Sequence, residues 1–161
     1  MKKNIFTILI TLFCVAFASA QINFQPSFGG GHQEENPVVW TFSQEKLSEG
    51  EYLLTFHGKI APKWHVYSQN NPKGGALPMV ITYTTEGIEL VGESKEEGLQ
   101  KAFNDIFGVD ELFFEKEIKI TQKVKLTDPN VKHIKGNIFC QACIDVCINL
   151  KEDFVFSLDG S

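Results

Sequence analysis

Three cysteines cluster near the C-terminal end of the chain, in the segment Phe139-Cys140-Gln141-Ala142-Cys143-Ile144-Asp145-Val146-Cys147. Thiols at this spacing support three kinds of chemistry: exchange with a partner's disulfide, a structural disulfide, or metal ligation. Because three thiols cannot all pair within one chain, one of them stays free. A structural disulfide gains most from closing a long loop, so a cluster this tight favours a chemical role.

The spacing alone leaves the pairing of these cysteines open. Residues four apart on an extended strand are separated by about 13 Å, whereas the Cα atoms of a disulfide lie roughly 4.4 to 6.8 Å apart. Cys143 and Cys147 therefore pair only if the chain turns between them, at a strand end or a hairpin tip. In the alternative, Cys140 and Cys147 face each other across a hairpin with a six-residue loop.

Two further uses of the thiols compete with exchange. The first is one structural disulfide accompanied by a buried free cysteine. The second is a Cys₃His metal site, in which His133 joins the three cysteines. Structural zinc sites usually take two pairs of ligands from separate parts of the chain, and only one such pair is present here. We therefore predict no metal and no other cofactor.

The N-terminus predicts export. Lys2 and Lys3 precede an apolar stretch from Ile5 to Phe17, and Ala18-Ser19-Ala20 supplies the small residues of a cleavage site before Gln21. The apolar stretch is shorter than the roughly 20 residues that span a bilayer. We expect a signal peptide over residues 1–20, no membrane insertion after its removal, and a periplasmic or otherwise exported protein. Residues 21–37 predict a flexible leader, and residues 38–161 the folded domain.

The composition excludes one class of partner. The 161 residues include 15 basic residues, all of them lysine, against 20 acidic ones, and the net charge is −5. Nucleic-acid binding needs clustered positive charge and favours arginine for reading bases, so we predict no nucleic-acid partner.

Most of the domain follows the alternating pattern of β-strands. In the clearest strand, from Glu117 to Leu126, isoleucine, valine and leucine share one face while lysine and threonine share the other. Further strands are predicted over 38–42, 52–60, 78–83, 134–139 and 154–158. The segment from Ser94 to Phe103 is the nearest to a helix and is predicted to be a short helix or a loop. These strands predict an all-β, immunoglobulin-like antiparallel β-sandwich.

Two other pairs of neighbouring residues are predicted to have no catalytic or ligand-binding role. Trp64 and His65 are expected to pack at an edge of the sandwich, and Asp110 and Glu111 to lie on a solvated face.

Several motifs, taken in order, resemble those of a known family. They are Trp64-His65-Val66-Tyr67-Ser68-Gln69, Gly74-Gly75-Ala76-Leu77-Pro78, Phe107-Gly108, Gln122-Lys123-Val124-Lys125-Leu126 and the terminal cysteines. Together they resemble the N-terminal periplasmic domain of the thiol:disulfide interchange protein DsbD, over roughly residues 38–158. The resemblance implies an immunoglobulin-like sandwich with a redox-active cysteine pair on a hairpin. It also implies electrons accepted from a thioredoxin-like domain and passed to disulfide isomerases and cytochrome c maturation thioredoxins.

The resemblance also implies roles for particular residues. Cys143 and Cys147 match the family's cysteine pair, and Cys140 is an additional thiol that would resolve mixed disulfides, pair with Cys147 or remain inert. Ile106 and Phe107 match a cap loop whose aromatic residue shields the cysteines, the alternative being that both are ordinary core.

This sequence also departs from the family pattern. The interval between the two cysteines is short, and Ile148-Asn149-Leu150 replaces the proline pair that commonly follows the second cysteine. Because the chain ends soon after its last predicted strand, we expect either that the electrons come from another polypeptide or that the relay role has been lost. The competing hypothesis is a non-catalytic periplasmic protein-binding sandwich with a structural disulfide.

Overall fold

A computed structural model describes residues 36–158, so the predicted signal peptide and most of the predicted leader lie outside the described residues. The described chain forms ten strands: β1 (Val38–Ser48), β2 (Glu51–Ile60), β3 (His65–Tyr67), β4 (Val80–Tyr83), β5 (Ile88–Glu97), β6 (Gln100–Asn104), β7 (Val109–Glu115), β8 (Glu117–Leu126), β9 (His133–Cys143) and β10 (Cys147–Ser157). No helix within residues 36–158 is long and apolar enough to cross a membrane.

The strands form two antiparallel sheets. The first sheet has the order β1-β2-β8-β5, and the second has the order β10-β9-β3-β7-β6. The short strand β4 pairs with β9 beyond β3, so β9 has β3 and β4 in succession along one of its sides. The all-β, immunoglobulin-like sandwich predicted from the sequence is confirmed.

Period-two alternation determines which side chains fill the sandwich. Along β2 and β8 every second residue is buried, which places Leu54 and Phe56 against Ile118 and Ile120. From the second sheet, Ile138, Phe154 and Phe156 complete this core, and the Phe56 ring lies 5.1 Å from the Phe154 ring in an edge-on arrangement. Such aromatic pairs add stability beyond the apolar area that they bury.

The predicted helix or loop at Ser94–Phe103 is wrong, because this segment is the end of β5 and most of β6, two strands that lie in different sheets. Between the two strands Gly98 adopts a φ of +87°, a conformation that glycine accepts readily. Ser94 and Glu97, which have the spacing of a helix cap, instead bond to other strands and loops. The Ser94 hydroxyl accepts a hydrogen bond from the Gln69 side chain at 2.9 Å, and the Glu97 carboxylate forms a salt bridge with Lys119 at 2.8 Å.

Candidate functional site

The cysteine segment forms the tip of the β9–β10 hairpin. Strand β9 ends at Cys143 and β10 begins at Cys147, and the two residues are register partners with Cα atoms 4.1 Å apart. A disulfide joins them, and the turn between them is closed by the Ile144 amide, which donates to the Val146 carbonyl at 3.1 Å. The chain thus makes the turn that a Cys143–Cys147 pair requires.

The two bonded sulfurs have different environments. Cys143 is only 3% exposed, whereas Cys147 and the turn residues Ile144, Asp145 and Val146 are exposed. Cys143 packs in a small apolar cluster with Tyr67, Ala76 and Phe113. One end of the disulfide is therefore open to solvent while the other is covered.

Cys140 cannot take part in this pair. It lies three residues before Cys143 on a continuous strand, so its side chain faces the sandwich core while that of Cys143 faces outward. Its register partner on β10 is Leu150, so the alternative Cys140–Cys147 pairing is wrong. Burial raises the pKa of the Cys140 thiol to about 12, with a smaller contribution from Glu152, so the thiol is protonated at neutral pH.

The segment between β3 and β4, residues 68–79, covers Cys143. It reaches the site through Ala76, whose amide donates to the Glu111 carboxylate at 2.7 Å. The Asn71 side chain holds it from within, donating to the Ala76 carbonyl and accepting from the Leu112 amide, both at 2.8 Å. The Leu77 amide also donates to the Gln141 side chain at 2.9 Å, which ties the segment to β9. We call residues 68–79 the covering segment.

Glu111 is buried, at 4% exposure, and not solvated as the sequence pattern indicated. The neighbouring Asp110 does face solvent, where it pairs with Lys101 at 2.8 Å. The Glu111 carboxylate accepts hydrogen bonds from the Ala76 amide and, at 2.8 Å, from the Asn104 side chain. This residue therefore links the covering segment to the turn between β6 and β7.

Ile106 and Phe107 lie in that β6–β7 turn. Their amides donate to the Asn104 side-chain oxygen at 3.0 and 3.3 Å. The alternative that they are core residues is wrong, because Ile106 is 89% and Phe107 is 50% exposed. Cys143 packs instead with the buried Tyr67 and Ala76 and the partly buried Phe113. A capping role for the turn stays a prediction.

His65 belongs to the site, although the sequence indicated only edge packing. It is the register partner of Cys143, so the two side chains share the outer face of the second sheet. Its ring lies 5.3 Å from both the Tyr67 and Phe113 rings, and its Nε2 atom lies 3.0 Å from the Tyr67 hydroxyl. Burial lowers the pKa of His65 below its ordinary value of 6.5, an effect opposed by the nearby Glu111 and Glu115.

Tyr67 connects His65 to the buried carboxylate. Burial, together with the charge of Glu111 and a hydrogen bond to it, raises the pKa of Tyr67 to about 12. A carboxylate only accepts hydrogen bonds, so the Tyr67 hydroxyl donates to Glu111 and its oxygen is left to accept from His65. Neither Tyr67 nor Glu111 could have been assigned from the sequence, because their contacts cross three strands.

The Cys₃His alternative does not fit the fold. Strand β9 runs without a break from His133 to Cys143, so about 33 Å separates the two residues along the strand. Among residues 36–158 no group of three or more histidine, cysteine or acidic side chains is placed to hold a metal ion.

Solved structures share this fold at low sequence identity. The N-terminal periplasmic domain of ScsB from Proteus mirabilis has a TM-score of 0.61 at 17% identity, over 79% of this chain and 49% of that one. The N-terminal domain of DsbD from Neisseria meningitidis, in the reduced form, has a TM-score of 0.51 at 15% identity, over 79% of this chain and 90% of that one. The chain thus covers about half the length of the ScsB domain. A search of the curated proteins finds no match.

The fold and the disulfide at the hairpin tip define an immunoglobulin-like sandwich that carries a bonded cysteine pair on its last hairpin. The sequence profile of the N-terminal domain of the thiol:disulfide interchange protein DsbD matches residues 34–158. The chain belongs to this family.

Proposed function

We propose that this protein is an exported electron relay that exchanges the Cys143–Cys147 disulfide with thioredoxin-like partners. The observation that carries the proposal is the asymmetry of the disulfide, with Cys147 exposed at a hairpin tip and Cys143 buried beneath the covering segment. A thiolate can reach only a sulfur that is accessible, so this arrangement directs a partner to Cys147.

The exchange proceeds in two steps. A thiolate of the reduced partner attacks the sulfur of Cys147, a new S–S bond forms, and the electron pair of the old bond leaves on the sulfur of Cys143. A second partner thiolate then displaces Cys147, so the partner's dithiol is oxidised by two electrons and this disulfide is reduced. Delivery of electrons to an acceptor disulfide runs the same steps in reverse.

The surface around Cys147 suits a protein partner. Ile144 and Val146, on the turn between the cysteines, are exposed, and Val146 is 65% exposed. Exposed apolar side chains beside a reactive group favour a partner with an apolar rim around its own active site. We further propose that Ile106 and Phe107 act as a cap over this region until a partner binds.

Export remains part of the proposal. The predicted signal over residues 1–20, with cleavage between Ala20 and Gln21, would deliver the domain to an oxidising compartment where its disulfide forms. The related ScsB domain is described as periplasmic.

Trapping of the mixed disulfide tests the assignment of roles. We expect Cys143→Ser to form a stable mixed disulfide with a reactive aromatic disulfide reagent, because Cys147 stays exposed and nothing resolves it. Cys147→Ser should react at least tenfold more slowly, since its remaining site thiol is buried. Cys140→Ser serves as the matched control and should cycle like the wild type. Equal trapping by the two site variants would contradict the proposal.

A further inference from the structure

Four side chains form one row across the outer face of the second sheet. The register pairs Glu115 of β7 with His65 of β3, His65 with Cys143 of β9, and Cys143 with Cys147 of β10. Directly opposed residues of antiparallel strands have Cβ atoms about 4.5 to 5.5 Å apart and project to the same side. An imidazole therefore lies beside the covered sulfur of the disulfide, with a carboxylate on its far side.

The imidazole is held in a defined position. Its Nε2 atom contacts the Tyr67 hydroxyl at 3.0 Å, and its ring packs against Tyr67 and Phe113, which also pack against Cys143. With Nε2–H donating to Tyr67, Nδ1 is the nitrogen that remains free to accept a proton. His65 and Cys143 thus share the same partly dehydrated cluster.

We propose that His65 is the proton-transfer residue for Cys143, removing the Cys143 proton when this thiol resolves a mixed disulfide at Cys147. This rests on the proposed exchange function. In the step, neutral His65 takes the proton from the Cys143 thiol, and the resulting thiolate attacks the sulfur of Cys147. The Cys143–Cys147 bond forms, the Cys147–partner bond breaks, and the electron pair leaves on the partner's sulfur, which becomes a thiolate. In the reverse direction, protonated His65 returns the proton to Cys143.

The charges around His65 suit a base that works near neutral pH. Burial favours the neutral, proton-accepting form, and it lowers the His65 pKa. Glu115 and Glu111 of β7 oppose this shift and stabilise the imidazolium once it has formed. The titratable groups nearest to His65 in this row are Tyr67 on the same strand, Cys143 on β9 and Cys147 on β10. Asp145 lies in the turn between the cysteines, and Lys135, Lys151 and Asp153 share the outer face further along β9 and β10. A thiolate on Cys143 adds a negative charge that also favours the imidazolium.

The test follows the mixed disulfide directly. Reduced protein is mixed with glutathione disulfide, quenched with acid at intervals, and analysed by mass spectrometry for glutathione on Cys147. In the wild type we expect little of this intermediate, because Cys143 resolves it quickly. In His65→Gln, and in His65→Phe, which retains ring packing, the intermediate should accumulate because resolution slows by about tenfold or more.

The pH profile separates proton transfer from a merely structural role. Wild-type resolution should be nearly independent of pH just above the His65 pKa. In His65→Gln it should rise about tenfold per pH unit, since the thiol must then ionise into solvent. His57→Gln is the matched control, because His57 lies on β2 of the other sheet, and it should behave like the wild type.

The outcomes distinguish this inference from the function on which it rests. If His65→Gln resolves the intermediate at the wild-type rate with the wild-type pH profile, the role of His65 is refuted while the exchange function stands. If glutathione disulfide never converts the reduced wild type to the Cys143–Cys147 disulfide, the exchange function itself fails.

Discussion

Replacement of Glu111 tests whether one buried carboxylate holds the cover over Cys143. In Glu111→Gln the side-chain carbonyl still accepts from one N–H group. The new side-chain NH₂ group, however, faces the side-chain NH₂ group of Asn104, and two donors cannot form a hydrogen bond. Asn104 cannot flip without cost, because its side-chain oxygen already accepts from the Ile106 and Phe107 amides. One charge-assisted hydrogen bond is therefore lost.

The expected magnitude follows from the number of bonds lost. A hydrogen bond to a charged group contributes about 1.5 to 3 kcal/mol, so Glu111→Gln should lower the free energy of unfolding by about that amount. Glu111→Ala loses the bonds from Ala76, Asn104 and Tyr67 and leaves the Ala76 amide without a partner, which should cost at least about 3 to 5 kcal/mol. Domains of this size unfold with roughly 5 to 15 kcal/mol, so the glutamine variant should still fold.

The assay is urea unfolding of the oxidised protein, followed by circular dichroism. The matched control is Asp110→Asn, one residue away, which removes an exposed ion pair with Lys101 and should cost less than about 1 kcal/mol. The Glu111→Gln variant should also be reduced faster by dithiothreitol, because the covering segment is held less firmly over the disulfide. Equal stability of the Glu111→Gln and Asp110→Asn variants would refute the anchoring role.

Three further predictions concern the core and the histidine. The Cys140 thiol should resist iodoacetamide in the folded protein and react once urea unfolds it, because it is buried and its pKa is raised to about 12; rapid labelling of folded protein would contradict this. Gly136→Ala should lower the midpoint of urea unfolding by an amount equivalent to about 1 to 3 kcal/mol, because a Cβ at this position meets the Thr82 carbonyl and the Phe154 ring. An unchanged midpoint would contradict this steric conflict. Burial lowers the pKa of His65 in the folded state, so below pH 6.5 the unfolded chain binds more protons than the folded one. The free energy of unfolding should therefore fall as the pH drops through 6.5. Urea unfolding at several pH values should show a smaller loss in His65→Gln than in the wild type.

The strands that the sequence predicts best are those with one buried face. The predicted strand Glu117–Leu126 has the bounds of β8, because one face packs on the core and the other meets solvent. The strands β9 and β10 extend further towards the cysteines than predicted. Near the hairpin tip their residues do not alternate clearly between apolar and polar, so their strand structure depends on the pairing of β9 with β10. The short strand β3 shows no pattern of its own over three residues.

The site could be predicted only in part. The cysteine cluster is visible in the sequence, but the choice between Cys140 and Cys143 depends on register, which places them on opposite faces of β9. His65 and Glu111 are separated from the cysteines by many residues, and only the pairing of β3 with β9 and of β7 with β3 brings them near the disulfide. The local sequence around a polar residue next to an aromatic one is the same whether that residue lies on the solvent-exposed surface or in a functional site.

The most direct test of the exchange function is a thiol count across a series of glutathione redox buffers. Residues 21–161 would be equilibrated, alkylated and digested, and the linkage of each cysteine read by mass spectrometry. The account predicts a single Cys143–Cys147 disulfide that opens and closes reversibly in the folded protein, while Cys140 remains an unmodified thiol throughout. A disulfide that resists reduction until the protein unfolds, or a bond between Cys140 and Cys147, would contradict it.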